Sequence, residues 1–156
     1  VRSGVRIGVD VGKVRIGIAR SDFHGILATP VETVPRGDGD LERILAIAAE
    51  VDAIELIVGL PLSLAGTATA STDDATGFAS RLAAATSLAV RLVDERLTTV
   101  SAQAALRASG RTSKQSRSVI DQVAAVIIVQ HALDFERIAG TPPGEIAHPD
   151  EGHQDG

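Results

Sequence analysis

The chain has no cysteine, methionine, tryptophan or tyrosine, and only three phenylalanines among its 156 residues. Without cysteine there is no disulfide, no thiolate nucleophile and no cysteine-based zinc site. Such a composition suits the cytoplasm, the compartment expected here. With three aromatic rings in all, the protein offers no platform for stacking successive bases, which excludes single-strand readers of that kind. No apolar run approaches the ~18 residues of a membrane helix, and no stretch reads as a signal peptide. The G-x-S-x-G, P-loop and G-x-G-x-x-G motifs are all missing. The four histidines, His24, His131, His148 and His153, form no set with a serine and an acid, and "HPDEGHQD" reads as a solvated tail.

What is present fits one globular domain: 44% hydrophobic and 22% charged residues, on a length that can bury a sizeable core. The net charge of −5 misleads until it is mapped along the chain. Residues 145–156 carry Glu145, Asp150, Glu151 and Asp155 and no Lys or Arg; without them the net charge is −1. Residues 96–117 carry Arg96, Arg107, Arg111, Lys114 and Arg117 and no acid. Charge asymmetry of this kind says more about partners than the total does. The expected organisation is a domain over residues 1–140 and an acidic, disordered tail over 141–156.

Residues 5–11 and 14–20 alternate apolar with polar or small residues around Gly12 and Lys13, and predict a β-hairpin. A third strand is expected over 26–34, with Pro30 marking an edge position. A helix over 41–51 is expected to be capped by Asp38 or Asp40, and residues 53–60 read as a buried parallel strand. Residues 61–72 form a loop rich in Pro, Gly, Ser and Thr, after which Ser71 or Thr72 caps a helix. A strand over 88–95 follows, then a helix begun at Thr98 or Thr99 and stopped at Gly110. A long helix over 118–139 completes a mixed sheet with helices on its faces.

Three acids stand out. Asp10 lies in an apolar strand with Gly8 and Gly12 on either side; alternation puts it on the face of Arg6 and those glycines, opposite Ile7, Val9 and Val11. Missing side chains let a ligand approach the backbone there. "VDERLTT" (93–99) places two acids at the carboxyl end of a strand, where open α/β sheets put their ligand sites. Alternation separates Asp94 from Glu95, so one of them joins Asp10, and periodicity does not choose which. Asp121 falls in the first turn of the last predicted helix, where a carboxylate favours the helix dipole, beside an alanine-lined surface.

"IGVDVGKVRIGIA", "IVGLPLSLAG", "LVDERLTT" and "IDQVAAVIIVQ" resemble, in order and spacing, the four signature blocks of the YqgF/RuvX family of ribonuclease H-like nucleases. The likeness spans about residues 4–138. It implies an α/β, ribonuclease H-like fold with a five-stranded mixed sheet, three antiparallel strands and then two parallel, flanked by helices. It implies Asp10, Glu95 and Asp121 as catalytic acids that hold one or two Mg²⁺ or Mn²⁺ ions, hard cations suited to carboxylate oxygens. Arg15 and Arg96 belong to family motifs and suit a phosphate or a carboxylate. Arg107, Arg111, Lys114 and Arg117 suit the phosphate backbone of a structured nucleic acid.

The implied activity is an endonuclease maturing the 5′ end of pre-16S rRNA. The alternative substrate is a four-way DNA junction, which requires two active sites and so a two-fold homodimer. Two other classes compete: an actin-like ATPase or sugar-kinase lobe, whose phosphate loop also uses D-x-G, and a non-catalytic adaptor. The single "DVG" and short chain argue against the first, and the presence of all three acids argues against the second.

Overall fold

The computed structural model describes residues 2–63, 65–94 and 113–149; for 113–121 only the course of the backbone is described. The order is β1 (Val5–Val11), β2 (Arg15–Ser21), β3 (Ala28–Pro35), α1 (Asp40–Glu50), β4 (Ala53–Leu60), α2 (Ala70–Ala85), β5 (Ala89–Asp94), α3 (Ser113–Ala139) and β6 (Glu145–Ile146). The strands form one sheet in the order β3-β2-β1-β4-β5-β6. The β1–β2–β3 meander is antiparallel, β1–β4 and β4–β5 are parallel, and β6 returns antiparallel to β5.

Alternation along the strands, interrupted by irregularities at Val5/Arg6 and Ile18/Ala19, divides the sheet between two layers. Ile7, Val9, Ile16, Ile18, Val34, Leu56, Val58 and Val90 face α1 and α2, where they meet Ile44, Ile47, Phe78, Ala79 and Leu82. The opposite face meets α3: Ala19 and Ala28 pack on Ala125, Val129 and Leu133, and Ile57 and Val93 on Ile128 and Ala132. Close approach of α3 requires Gly8, since a Cβ there would lie 2.2 Å from Val129 Cγ2 and 2.9 Å from the Ala125 carbonyl oxygen. Pro30 sits on the sheet edge, as expected.

Charged groups pin the amino-terminal end of β1 beneath α3. Arg6 and Glu55 are each 1% exposed and Glu136 5%. The Glu136 carboxylate accepts from Arg2 Nε (3.0 Å), the Arg2 backbone N–H (3.1 Å) and Arg6 (3.3 Å), while Glu55 accepts from Arg2 and Arg91 (3.0 and 2.9 Å). Arg2 chiefly, with Arg6 adding to it, draws the Glu136 carboxyl down to about 2 against the cost of burial.

Four expectations change. The sheet has six strands rather than five, because part of the expected tail is used. Gly144, at φ +76°, brings the chain so close to β5 that a Cβ would lie 2.1 Å from the Leu92 carbonyl oxygen. Ala147 then donates to the Val90 carbonyl at 2.7 Å. Neither Asp38 nor Asp40 caps α1: Gly39 holds that position at φ +89°, and Asp40 instead accepts from the Gly37 N–H at 3.0 Å. Thr69 rather than Ser71 or Thr72 caps α2, in a reciprocal capping box with Thr72. Finally, α3 begins at Ser113, because Lys114, Gln115 and Arg117 are good helix formers with no Gly or Pro to stop them. The helix expected over 98–110 lies outside the described residues.

Candidate active site

Asp10 is half-buried near the carboxyl end of β1. It pairs in register with Gly17 on β2, and Gly17 with Thr33 on β3. Registered residues share a face, and this one is the α3 face: Gln122 of α3 donates to the Thr33 hydroxyl at 3.0 Å. The row Asp10–Gly17–Thr33 therefore leaves its middle position without a side chain, directly beside the carboxylate. Arg15 shares this face with Gly17, because its neighbour Ile16 points into the opposite core.

The direction of α3 over β1 follows from three contacts. Glu136 meets Arg6, Val129 and Ala125 meet Gly8, and Gln122 meets the row of Asp10. From Glu136 to Gln122 the helix rises about 21 Å while β1 advances about 13 Å from Arg6 to Asp10, so α3 runs obliquely from β1 across the meander to Thr33 on β3. Asp121 precedes Gln122 on the turn of α3 that reaches the Thr33 end of this row. Its side chain, like those of Lys114 and Arg117, is outside the described residues.

The register also separates the two acids of "VDERLTT". Val93 packs on Ile128 and Ala132 of α3, whereas Leu92 packs on the α1–α2 core. Asp94, paired with Leu60, follows Leu92 and belongs to the face away from Asp10. Glu95, Arg96, Arg107 and Arg111 lie outside the described residues. Among the described residues no three His, Asp, Glu or Cys side chains gather into a metal-sized cluster. Asp10 itself is a hard oxygen donor, the type that Mg²⁺ and Mn²⁺ take.

One feature beside Asp10 has no signal in the sequence. Arg36, just after β3, donates to the Gly12 carbonyl at 2.7 Å and to both carboxylate oxygens of Asp74 on α2, at 2.9 and 3.1 Å. Its guanidinium lies 5.3 Å from the centre of the buried Phe78 ring. This pairing holds the Asp74 carboxyl below its ordinary range, despite partial burial. The partners are 24 to 42 residues apart, beyond the reach of any local pattern.

A mixed sheet with an antiparallel meander, two parallel strands and helices on both faces, bearing an acid on its first strand, defines the ribonuclease H-like class. A solved structure of Thermus thermophilus RuvC in complex with Holliday junction substrate shares this fold, with a TM-score of 0.54 and 14% identity. The superposition covers 90% of this chain and 99% of that one. The chain belongs to the RuvX family, whose model, described as a Holliday junction resolvase, matches residues 4–135. It is 68% identical over 149 residues to the "Putative pre-16S rRNA nuclease" of Clavibacter michiganensis, covering 94% of this chain and 92% of that protein. A protein of the same name from Leifsonia xyli is 58% identical over 151 residues, with 96% and 97% covered.

Proposed function

We propose that the protein is a divalent-metal-dependent endonuclease that cleaves structured RNA at the 5′ end of pre-16S rRNA. One observation carries the reading: Asp10 lies in a side-chain-poor row whose β3 member, Thr33, is bonded by Gln122, the residue after Asp121 on α3. Relatives with 68% and 58% identity bear the corresponding name. We assign the third acid to Glu95, the glutamate of the D-E-R block, since Asp94 belongs to the face away from Asp10.

Asp10, Glu95 and Asp121 would hold the metal, and their carboxylates suit one or two Mg²⁺ or Mn²⁺ ions. When bound, such an ion supplies Lewis acidity toward the phosphate and lowers the pKa of water. Gly8 and Gly12 are taken up by close packing against Val129 and the Arg15 carbonyl, so the position beside the carboxylate that lacks a side chain is Gly17. Arg15 on the same face, with Arg96, Arg107, Arg111, Lys114 and Arg117, contributes positive charge along the substrate backbone, a contact that reads shape rather than sequence. A protein with three Phe and no Trp or Tyr fits that mode of recognition.

A second substrate, the four-way DNA junction, is favoured by the description of the family and by the fold shared with RuvC. It requires a two-fold homodimer. The deciding experiment compares wild type and Asp10→Asn on precursor rRNA and on a four-way junction, with Mg²⁺, Mn²⁺ or EDTA. Cleavage of the precursor that vanishes in EDTA and in Asp10→Asn supports the reading. Preferential junction cleavage by a dimer replaces it with the second, and cleavage surviving in EDTA refutes both.

A further inference from the structure

We propose that Arg36 is a positioning residue for the active site, clamping the β1–β2 turn to α2 and so fixing the end of β1 that carries Asp10. The inference rests on the nuclease reading of Asp10.

The need for a clamp follows from the sheet. The register of β1 with β4 ends at Val9↔Val58, whereas its register with β2 continues to Val11↔Ile16. Asp10 therefore sits where β1 has parted from its parallel neighbour, two residues before Gly12 and the turn that holds the exposed Lys13. A carboxylate that shares a metal with acids from other chain segments must be held within a fraction of an ångström, and free hairpin ends do not supply that.

Arg36 meets the turn twice. Its backbone N–H donates to the Val14 carbonyl at 2.9 Å, and its guanidinium to the Gly12 carbonyl at 2.7 Å. The Gly12 N–H donates across the turn to the Arg15 carbonyl at 2.9 Å, so both polar backbone groups of Gly12 are engaged. The fit is close: a Cβ on Gly12 would lie 2.6 Å from the Arg15 carbonyl oxygen.

The rest of the guanidinium faces α2. It forms a two-pronged pair with Asp74, and its carbon stands 5.3 Å from the Phe78 ring centre. Phe78 is fully buried in the core between the sheet and the α1–α2 layer, so the anchor is rigid. A planar fork can meet a carbonyl, both oxygens of a carboxylate and a ring face together; an ammonium cannot. Arg36 is 19% exposed, and its donors point at protein partners rather than outward, which separates it from the phosphate-contacting arginines.

The test uses the full chain with Arg36→Gln, Arg36→Lys and Asp74→Asn, alongside Asp10→Asn. Mn²⁺ affinity is measured by calorimetry, amide exchange is followed at Gly12 and at the core amides of Ile7 and Val58, and cleavage is resolved into kcat and KM. In Arg36→Gln, Gly12 exchange should quicken about tenfold while Ile7 and Val58 stay protected, as expected of a local opening. Mn²⁺ should bind about fivefold more weakly and kcat fall about tenfold, with KM within about twofold. Arg36→Lys should restore only part of this, and Asp74→Asn should fall between.

Unchanged Mn²⁺ affinity and kcat with accelerated Gly12 exchange would make the clamp merely structural and overturn the inference while leaving the nuclease reading intact. A rise in KM with a salt slope shallower by about one would make Arg36 a phosphate contact and overturn it as well. Full cleavage by Asp10→Asn would instead remove the nuclease reading, and the inference with it.

Discussion

Glu136 offers the sharpest test of how α3 is seated. Its carboxylate accepts from Arg2 and Arg6 in a site where Glu136 is 5% and Arg6 1% exposed. The carboxyl titrates at about 2 in the fold against an ordinary 4.5. The folded state therefore binds fewer protons than the unfolded chain between those values, so its stability falls as the pH falls through them. Converted at 1.36 kcal/mol per unit, the difference contributes about 3 kcal/mol at pH 7 and about half of that near pH 3. Glu136→Gln keeps the shape but leaves the Arg6 guanidinium buried without its counter-charge, and should cost about 3 kcal/mol at pH 7, the lower end for a broken buried pair. Urea denaturation of wild type and variant at pH 7 and pH 3 measures it, since subtracting the variant removes the other carboxylates. A gap that does not narrow at pH 3, or a cost under about 0.5 kcal/mol at pH 7, refutes the reasoning.

The remaining expectations concern the site and its support. Glu95→Gln should reduce cleavage at least about a hundredfold, whereas Asp94→Asn should stay within a few-fold, a comparison read in single-turnover rates; the reverse ranking would give the metal-holding role to Asp94. Gly8→Ala should lose about 1–3 kcal/mol in urea titrations, because its methyl group meets Val129 and the Ala125 carbonyl. Adding Val129→Ala should recover only part, since the carbonyl remains. Phe78→Ala should cost about 3–5 kcal/mol by the same assay, from the buried ring alone.

What the sequence made legible was whatever repeats at short range. Alternation placed Asp10 with Arg6 and Gly8 and against Ile7 and Val9, and the sheet has that division. The edge position of Pro30 came from a missing N–H, a property of one residue. By contrast, α2 is capped by Thr69 because several hydroxyl residues compete within residues 67–72, and only the route out of β4 selects one. The two-residue β6 was illegible because glycine, which marks a loop locally, here admits the chain to within contact of the Leu92 carbonyl. At the site, alternation singled out Asp10 but did not choose between Asp94 and Glu95; the likeness of "LVDERLTT" to a family block named Glu95. The structure adds that Val93 faces α3 and Leu92 the other layer.

The same division explains where the protein keeps its charges. On the α3 face of β1, Arg6 and Asp10 are four residues apart with Gly8 between them. At the Arg6 end, Glu136, Glu55, Arg2 and Arg91 meet in direct pairs and are bonded into place. At the Asp10 end, the row beside the acid contains Gly17 in place of a side chain. The small contact at Gly8 joins the two, because it lets α3 approach β1 closely between them. Anchoring one end of a stiff helix in ion pairs then sets the height of its other end, where Gln122 reaches Thr33. A substitution at Glu136, far from the acid, should therefore disturb the turn bearing Asp121 as well as stability. Gln122, bonded to Thr33, is the group whose side-chain amide resonance would register that shift.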